Sequence, residues 1–327
     1  MDLPLNRRSF AAMLGTAMLP APVWAQGEPW PSKPVRLIVP TPPGGATDRL
    51  ARMLAVELGK AFGQPFVVDN RGGAGGSLGT AVVAKAPADG YTLLFTGVFN
   101  TINPGLYPKL PYDYVSDFVH IAPMTQGPNI LVAKPDFEAS TVAQLVALAK
   151  KKPSSIDFGS GGNGTSGHLT MEMFQRLAGI RMNHVAYKGT APALQDVLAG
   201  VVPLMAINQD TAIPHIQGGK LKALAVTSRQ RNPVFPAVPT FVEAGFSELV
   251  VTSWAGLDAP KGTPSTIVER LHDATLKAVQ SKDVQDRLSA EGWIPFAATS
   301  QADFDKFVRA ETTRWLRTIK DAGIQIE

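Results

Sequence analysis

The feature that most constrains this chain is a unit that recurs along it: a short β-branched strand, a Gly/Pro-rich loop, then an amphipathic helix. Val35-Arg36-Leu37-Ile38-Val39 ends in Pro40-Thr41-Pro42-Pro43-Gly44-Gly45, and apolar residues then recur at helical spacing over residues 48–58. The unit returns as strand 66–68, the loop Arg71-Gly72-Gly73-Ala74-Gly75-Gly76, helix 77–86 and strand 92–95. It returns again as strand 156–158, the Gly-rich run 159–167, helix 168–177 and strand 183–187. A helix at 195–198 and strands at 204–207 and 221–227 follow. Strands alternating with helices imply parallel pairing through crossover connections, so we expect an α/β protein with at least two sheets.

Ligands of such open sheets bind outside the carboxyl ends of the strands, where these glycine-rich runs fall. Glycine lets the backbone approach a ligand closely, and exposed N–H groups at a helix start attract anions. Two such loops facing each other from two domains would clamp a carboxylate. The length of 327 residues agrees with about two domains. With no cysteine in the chain, disulfide scaffolds, thiol nucleophiles, iron–sulfur clusters and a lipoprotein anchor are excluded.

Residues 1–25 read differently from the rest: a polar start ending in Arg7 and Arg8, the apolar run 10–23, then Ala25. The run is shorter than the roughly 20 residues a membrane-spanning helix needs, and it is read as a cleavable signal. Asn6-Arg7-Arg8-Ser9-Phe10 resembles a twin-arginine export signal, with an ordinary secretory signal as the alternative. Cleavage near Ala25 would release the mature chain into the periplasm with no direct membrane insertion. A pI of about 9.2 raises the question of nucleic acid, but the one tight basic run, Lys150-Lys151-Lys152, precedes Pro153 at a helix end, where cations complement the helix dipole. No nucleic-acid partner is expected.

Three local patterns bear on chemistry. Gly159-Ser160-Gly161-Gly162-Asn163-Gly164 matches the dinucleotide fingerprint, but residues 180–187 hold no carboxylate for the ribose. Gly75-Gly76-Ser77-Leu78-Gly79 matches a hydrolase nucleophile elbow, yet six residues separate it from the strand end, where an elbow must turn sharply. His120, His168, His184, His215 and His272 stand singly, so neither a metal site nor a cofactor is expected. His168 follows a Gly-rich loop and reads as a ligand donor or as a cap or packing residue. Asp48 reads as complementing a helix start.

Taken in order, the segments resemble the substrate-binding receptors of tripartite tricarboxylate transporters, the Bug family, over nearly all of the mature chain. Pro42-Pro43-Gly44-Gly45-Ala46-Thr47-Asp48-Arg49-Leu50-Ala51-Arg52 carries the resemblance most specifically. Asn70-Arg71 with Gly73-Ala74-Gly75-Gly76, Pro87-Ala88-Asp89-Gly90-Tyr91-Thr92-Leu93, Ser160 to His168-Leu169, Tyr187-Lys188-Gly189, Trp254-Ala255-Gly256-Leu257 and Ala259-Pro260-Lys261-Gly262-Thr263-Pro264 complete the set.

The resemblance implies a non-enzymatic, two-lobed periplasmic-binding-protein fold of the Venus flytrap type II class, with two mixed or parallel sheets joined by crossing strands. Lobe 1 is expected to comprise residues 26–128 and 251–327, and lobe 2 residues 129–250. It also implies a small carboxylate ligand, membrane subunits of a transporter as partner, and a monomer. Mapped by position, the implied contacts are Thr41, Gly44, Gly45, Ser160, Gly162, Asn163, Thr165 and Ser166. Pro43, Asp48, Phe99, Asn100, Tyr187, Ile207, Asn208 and Asp210 join them as candidates. The family's strand after Gly200 often ends with an aromatic residue and an aspartate able to pair with an amino group; Ala206 and Ile207 stand there instead. We therefore expect a ligand without an ammonium group, its apolar body walled by Ile207, Phe99 and Tyr187. Two alternatives remain: a periplasmic sensor feeding a signalling system, and an exported α/β hydrolase using Ser77.

Overall fold

The computed structural model describes residues 30–324; the expected leader, with its cleavage position near Ala25, lies outside the described residues. The first recurring unit comprises β1 (Val35–Val39), α1 (Ala46–Phe62) and β2 (Phe66–Asn70), and α1 stops at Gly63, whose left-handed φ of 68° turns the chain back. A short 3-10 turn (Ala74–Gly76) leads into α2 (Ser77–Ala84), β3 (Thr92–Gly97) and α3 (Val98–Leu106). A 16-residue strand follows, β4 (Phe118–Ala133).

The chain then runs through α4 (Val142–Lys151), β5 (Asp157–Ser160), α5 (Ser166–Ala178), β6 (Asn183–Ala186) and α6 (Thr190–Ala199). Next come β7 (Leu204–Asn208), α7 (Gln209–Gln217), β8 (Lys222–Val226) and β9 (Thr252–Pro260). The last described elements are α8 (Ser265–Gln280), α9 (Lys282–Ala290), β10 (Ile294–Pro295) and α10 (Gln301–Ala322).

The strands lie in the order β2-β1-β3-β9-β4-β7-β5-β6, with β8 and β10 also paired to β4. β1 pairs in parallel with β2 and β3, and β5 with β6 and β7, as the recurring unit requires. β4 and β9 run antiparallel to their neighbours and make the sheet mixed. Along β4 the partners change: residues up to Pro128 pair with β9, and those from Asn129 onward pair with β7 and β8. One strand thus belongs to both halves of a two-lobed α/β fold. The two sheets expected to be joined by crossing strands are these halves, joined through β4.

Each half is covered by helices on both faces. Leu50, Leu54 and Leu58 of α1 pack with Leu271 and Leu288 on one face of the first half, and Ile102, Phe304 and Val308 pack on the other. In the second half, Leu145, Met171 and Phe174 cover one face while Leu194, Val197 and Ile213 cover the other. β7 alternates accordingly, sending Leu204 and Ala206 to the first of these layers and Met205 and Ile207 to the second. Among the described residues no helix is long and apolar enough to cross a membrane.

Helix α5 lies unusually close to β7, because a Cβ on buried Gly167 would run into the carbonyl oxygen of Ala206. Gly167→Ala should therefore force α5 off the sheet and lower stability by about 1–3 kcal/mol, the usual cost of overpacking. Thermal unfolding checks this; an unchanged midpoint would mean that α5 can shift freely.

Candidate functional site

The loops after β1, β2, β5 and β6 converge, as carboxyl ends of parallel strands do, on a cavity of about 670 Å³ between the two halves of the sheet. Its first wall is the loop between β1 and α1, which is stitched together by side chains behind it. Asp48 accepts from the Gly44 N–H at 3.0 Å, from Asn70 Nδ2 at 3.0 Å and from Arg52 Nε at 3.1 Å. Asn70 Nδ2 also donates to the Thr41 carbonyl at 3.1 Å. Burial works against the Asp48 charge, but the hydrogen bonds from Arg52, Gly44 and Asn70 outweigh it and hold the carboxyl below its usual range. Asp48 thus shapes the loop from behind. The α1 N-cap is Gly45, which has no side chain to satisfy the first-turn N–H groups, and Ala46 and Thr47 of that turn line the cavity.

The opposite wall, residues 161–165, rests on two stacked histidines. The His168 and His184 rings lie 4.2 Å apart at 23°, and Phe158 stacks on the far side of His184 at 5.0 Å. His168 Nδ1 accepts from the Gly164 N–H at 3.3 Å, which requires that nitrogen to be unprotonated. His184 Nε2 meets Ser160 Oγ at 2.6 Å, and Ser160 Oγ accepts from the Gly162 N–H at 3.0 Å. Thr165 closes the loop by donating to the Gly162 carbonyl at 2.9 Å and accepting from the His168 N–H at 3.3 Å as the α5 cap.

Between these walls lies a floor of small polar groups on the strands that join the halves. Asn208 Nδ2 donates to Ser253 Oγ at 2.7 Å and to Asn129 Oδ1 at 3.2 Å. Ser253 Oγ lies 2.9 Å from Ser166 Oγ, and Ser166 Oγ lies 3.2 Å from Asn129 Oδ1. Asn129 Nδ2 reaches Thr170 Oγ1 at 3.0 Å, and Thr170 donates to the Ser166 carbonyl at 2.8 Å. Phe99, Trp254 and Trp293 supply aromatic surface, and Tyr187 is held by its hydroxyl on Asp196 at 2.6 Å. Lys188 is the only charged residue among the cavity-lining residues described.

Of the residues singled out in the sequence, Thr41, Pro43, Phe99, Gly162, Asn163, Thr165, Ser166, Tyr187 and Asn208 line this cavity. The others lie elsewhere, for identifiable reasons. Ile207 alternates into the layer under α6 and α7 and is 2 % exposed, so it cannot wall the cavity. Asn100 is buried as a brace of the α3 start, donating to Thr80 at 2.7 Å and accepting from the Gly97 N–H at 3.2 Å. Ser160 and Asp48 act behind the loops as described. Gly44, Gly45 and Asp210 border a second, smaller cavity of about 440 Å³. There Asp210 is ion-paired with Arg49 of α1, and burial raises its carboxyl to about 6 against the pull of Arg49.

Ser253, Trp254, Trp293 and Tyr107 also line the cavity without having been proposed as contacts. Trp254 lay within a segment that carried the family resemblance; the other three offered no local signal. Among the described residues, Ser160 is the only serine hydroxyl bonded to a histidine, and it is wholly buried; Ser77 has no such partner.

The histidine pair makes stability pH-dependent. Burial lowers His184 from 6.5 to about 4; burial and the adjacent His184 lower His168 from 6.5 to about 3. The unfolded chain takes up these protons near 6.5 while the fold refuses them, so the stabilisation is complete above that pH and is lost as pH falls toward 4. We expect the melting temperature to fall between pH 7 and 4, and His184→Gln to flatten that slope. Parallel slopes for the two proteins in a calorimetric pH series would contradict this role.

The family model for the tripartite tricarboxylate transporter family receptor matches residues 50–324. The chain is 38% identical to protein BugT of Bordetella pertussis over 329 residues, covering 99% of this chain and 100% of the relative. An R. palustris protein solved with adipate is similar in structure, with a TM-score of 0.87 and 35% identity over 91% of this chain and all of its own (100%). MatC from Rhodopseudomonas palustris, solved with bound malate, gives 0.85 and 32% over 88% and 99%. Similarity of this extent places the chain in a receptor family and outside any enzyme family: it belongs to the tripartite tricarboxylate transporter receptors, the Bug-type periplasmic solute-binding proteins.

Proposed function

We propose that this protein captures a small carboxylic acid without an ammonium group in the periplasm and delivers it to the membrane subunits of a tripartite tricarboxylate-type transporter. The observation that carries this reading is the uncapped start of α1 opening on a cavity that no carboxylate side chain lines. Free N–H groups and the positive end of the helix dipole suit an anion there. Lys188, the one charged lining residue, has the complementary sign. An ammonium group would find no anionic partner, whereas Phe99, Trp254 and Tyr187 offer surface for an apolar or aromatic body. The relatives solved with adipate and malate are consistent with a carboxylate.

We further propose that residues 26–128 with 251–327 form one lobe and residues 129–250 the other. In support, β4 changes partners between Pro128 and Asn129, and the chain enters β9 at Thr252. The proposed contacts come from both lobes: Thr41, Pro43 and Phe99 from the first, and Gly162, Asn163, Thr165, Ser166, Tyr187 and Asn208 from the second. A ligand touching both stabilises the shut state of a hinge at the crossings. A leader at residues 1–25, cleaved near Ala25, would deliver the chain to its compartment.

A thermal-shift screen of mono-, di- and tricarboxylates and aromatic acids tests the reading, since a ligand at 100 times its Kd adds about 2.7 kcal/mol of apparent stability. In calorimetry on matched pairs, succinate against aspartate and 3-phenylpropionate against phenylalanine, the deaminated member should bind about 10-fold tighter or better, roughly 1.4 kcal/mol. Tighter binding of the amino acid would refute the ligand class.

A further inference from the structure

The floor of the cavity is wired in one direction only. A backbone carbonyl can only accept, so the Thr170 hydroxyl spends its proton on the Ser166 carbonyl at 2.8 Å. Thr170 Oγ1 then accepts from Asn129 Nδ2 at 3.0 Å, which fixes the Asn129 amide with its oxygen toward the cavity side of the network. That oxygen accepts from Ser166 Oγ at 3.2 Å and from Asn208 Nδ2 at 3.2 Å, with Ser253 Oγ a more distant third donor at 3.4 Å. The second Asn208 amide proton goes to Ser253 Oγ at 2.7 Å, and Ser253 passes its own proton to Ser166 Oγ at 2.9 Å.

Every donor of the three floor residues that line the cavity, Ser166, Asn208 and Ser253, is therefore consumed inside the network. What remains is acceptor capacity, above all Asn208 Oδ1, which has no protein partner among the described residues. Asn129, Ser166, Thr170 and Ser253 are buried at 0, 7, 0 and 5 % exposure, so the amide orientation is set by the fold and not by solvent. Of the five network residues only Asn208, at the end of β7, is partly exposed.

We infer that the cavity floor is a hydrogen-bond acceptor subsite, centred on Asn208 Oδ1, which selects carboxylic acids bearing a hydroxyl group over their unhydroxylated analogues. The inference rests on the carboxylate reading of the site and adds polarity to it. A carboxylate is all acceptor and is unwelcome at this floor, so it is directed to the start of α1 across the cavity; a hydroxyl on the ligand body supplies the missing donor. A site built to hydrogen-bond a hydroxyl discriminates against an analogue without one, because its own acceptor is left unpaired.

The experiment is calorimetry with matched pairs: malate against succinate, and 3- and 4-hydroxybenzoate against benzoate. In the intact protein the hydroxylated member of at least one pair should bind about 10-fold tighter, and Asn208→Ala should bring that ratio toward one. Thr170→Val, whose side chain lies behind the floor and keeps its shape, removes the first link of the relay; the two amides are then free to turn, and the ratio should fall again. A general loosening of the fold moves both members of a pair together, so the ratio separates wiring from stability.

Carboxylates that bind without preference in any pair would overturn the acceptor floor while leaving the receptor reading intact, as would a preference that survives in Asn208→Ala. Absence of binding by every acid tested would overturn both.

Discussion

The constraint on which this structure depends is the backbone ladder of β4. A 16-residue strand hydrogen-bonds β9 along its first stretch and β7 with β8 along its second, so both halves are built on one rod. Parallel strands on each side then point their carboxyl ends toward the gap between the halves. Shape, cavity position and the choice of glycine-rich loops as walls all follow. Pro123 lies between two register shifts, one between His120 and Ala122 and one between Pro123 and Thr125, Pro128 falls where β4 changes partners, and the strand is buried almost throughout.

That burial explains what the sequence left hidden. β1 reads correctly from its β-branched run, and the glycine loops are visible because their glycines are clustered in runs directly after strands. β4 lacks period-two alternation, since both its faces are covered, and its prolines and Gly127 argue against a strand when read locally. The same limit hid the floor. Asn129, Ser166, Asn208 and Ser253 are ordinary polar residues far apart along the chain, and only the change of partners along β4 brings them together. Ile207 misled for a related reason: which face a strand residue occupies depends on register, and β7 turns Met205 and Ile207 toward α6 and α7.

Electrostatically the cavity is spare. Its polarity comes from a helix start on one side and a hydrogen-bonded network of side chains on the other, with Asp48, the two histidines and Asp210 all set behind or beside the walls. Asp48 holds a loop, His168 and His184 support another, and Asp210 ties α7 to α1. Apart from Lys188, the charged and titratable groups around the cavity thus serve as scaffolding, and its remaining polar lining is backbone, amide and hydroxyl. Recognition should accordingly vary little with pH so long as the scaffold stands.

The uncapped start of α1 has one more consequence. The groups proposed to hold the ligand's charge are main-chain N–H groups, and no side-chain substitution deletes them. An alanine scan of the cavity would register its walls and floor and stay silent on the anchor. On that proposal the same asymmetry shapes what mutation can explore: drift in Phe99, Tyr187, Asn208 or Trp254 would change which acid is preferred one residue at a time, while a preference for acids as a class would be carried by the backbone and pass unchanged to each descendant.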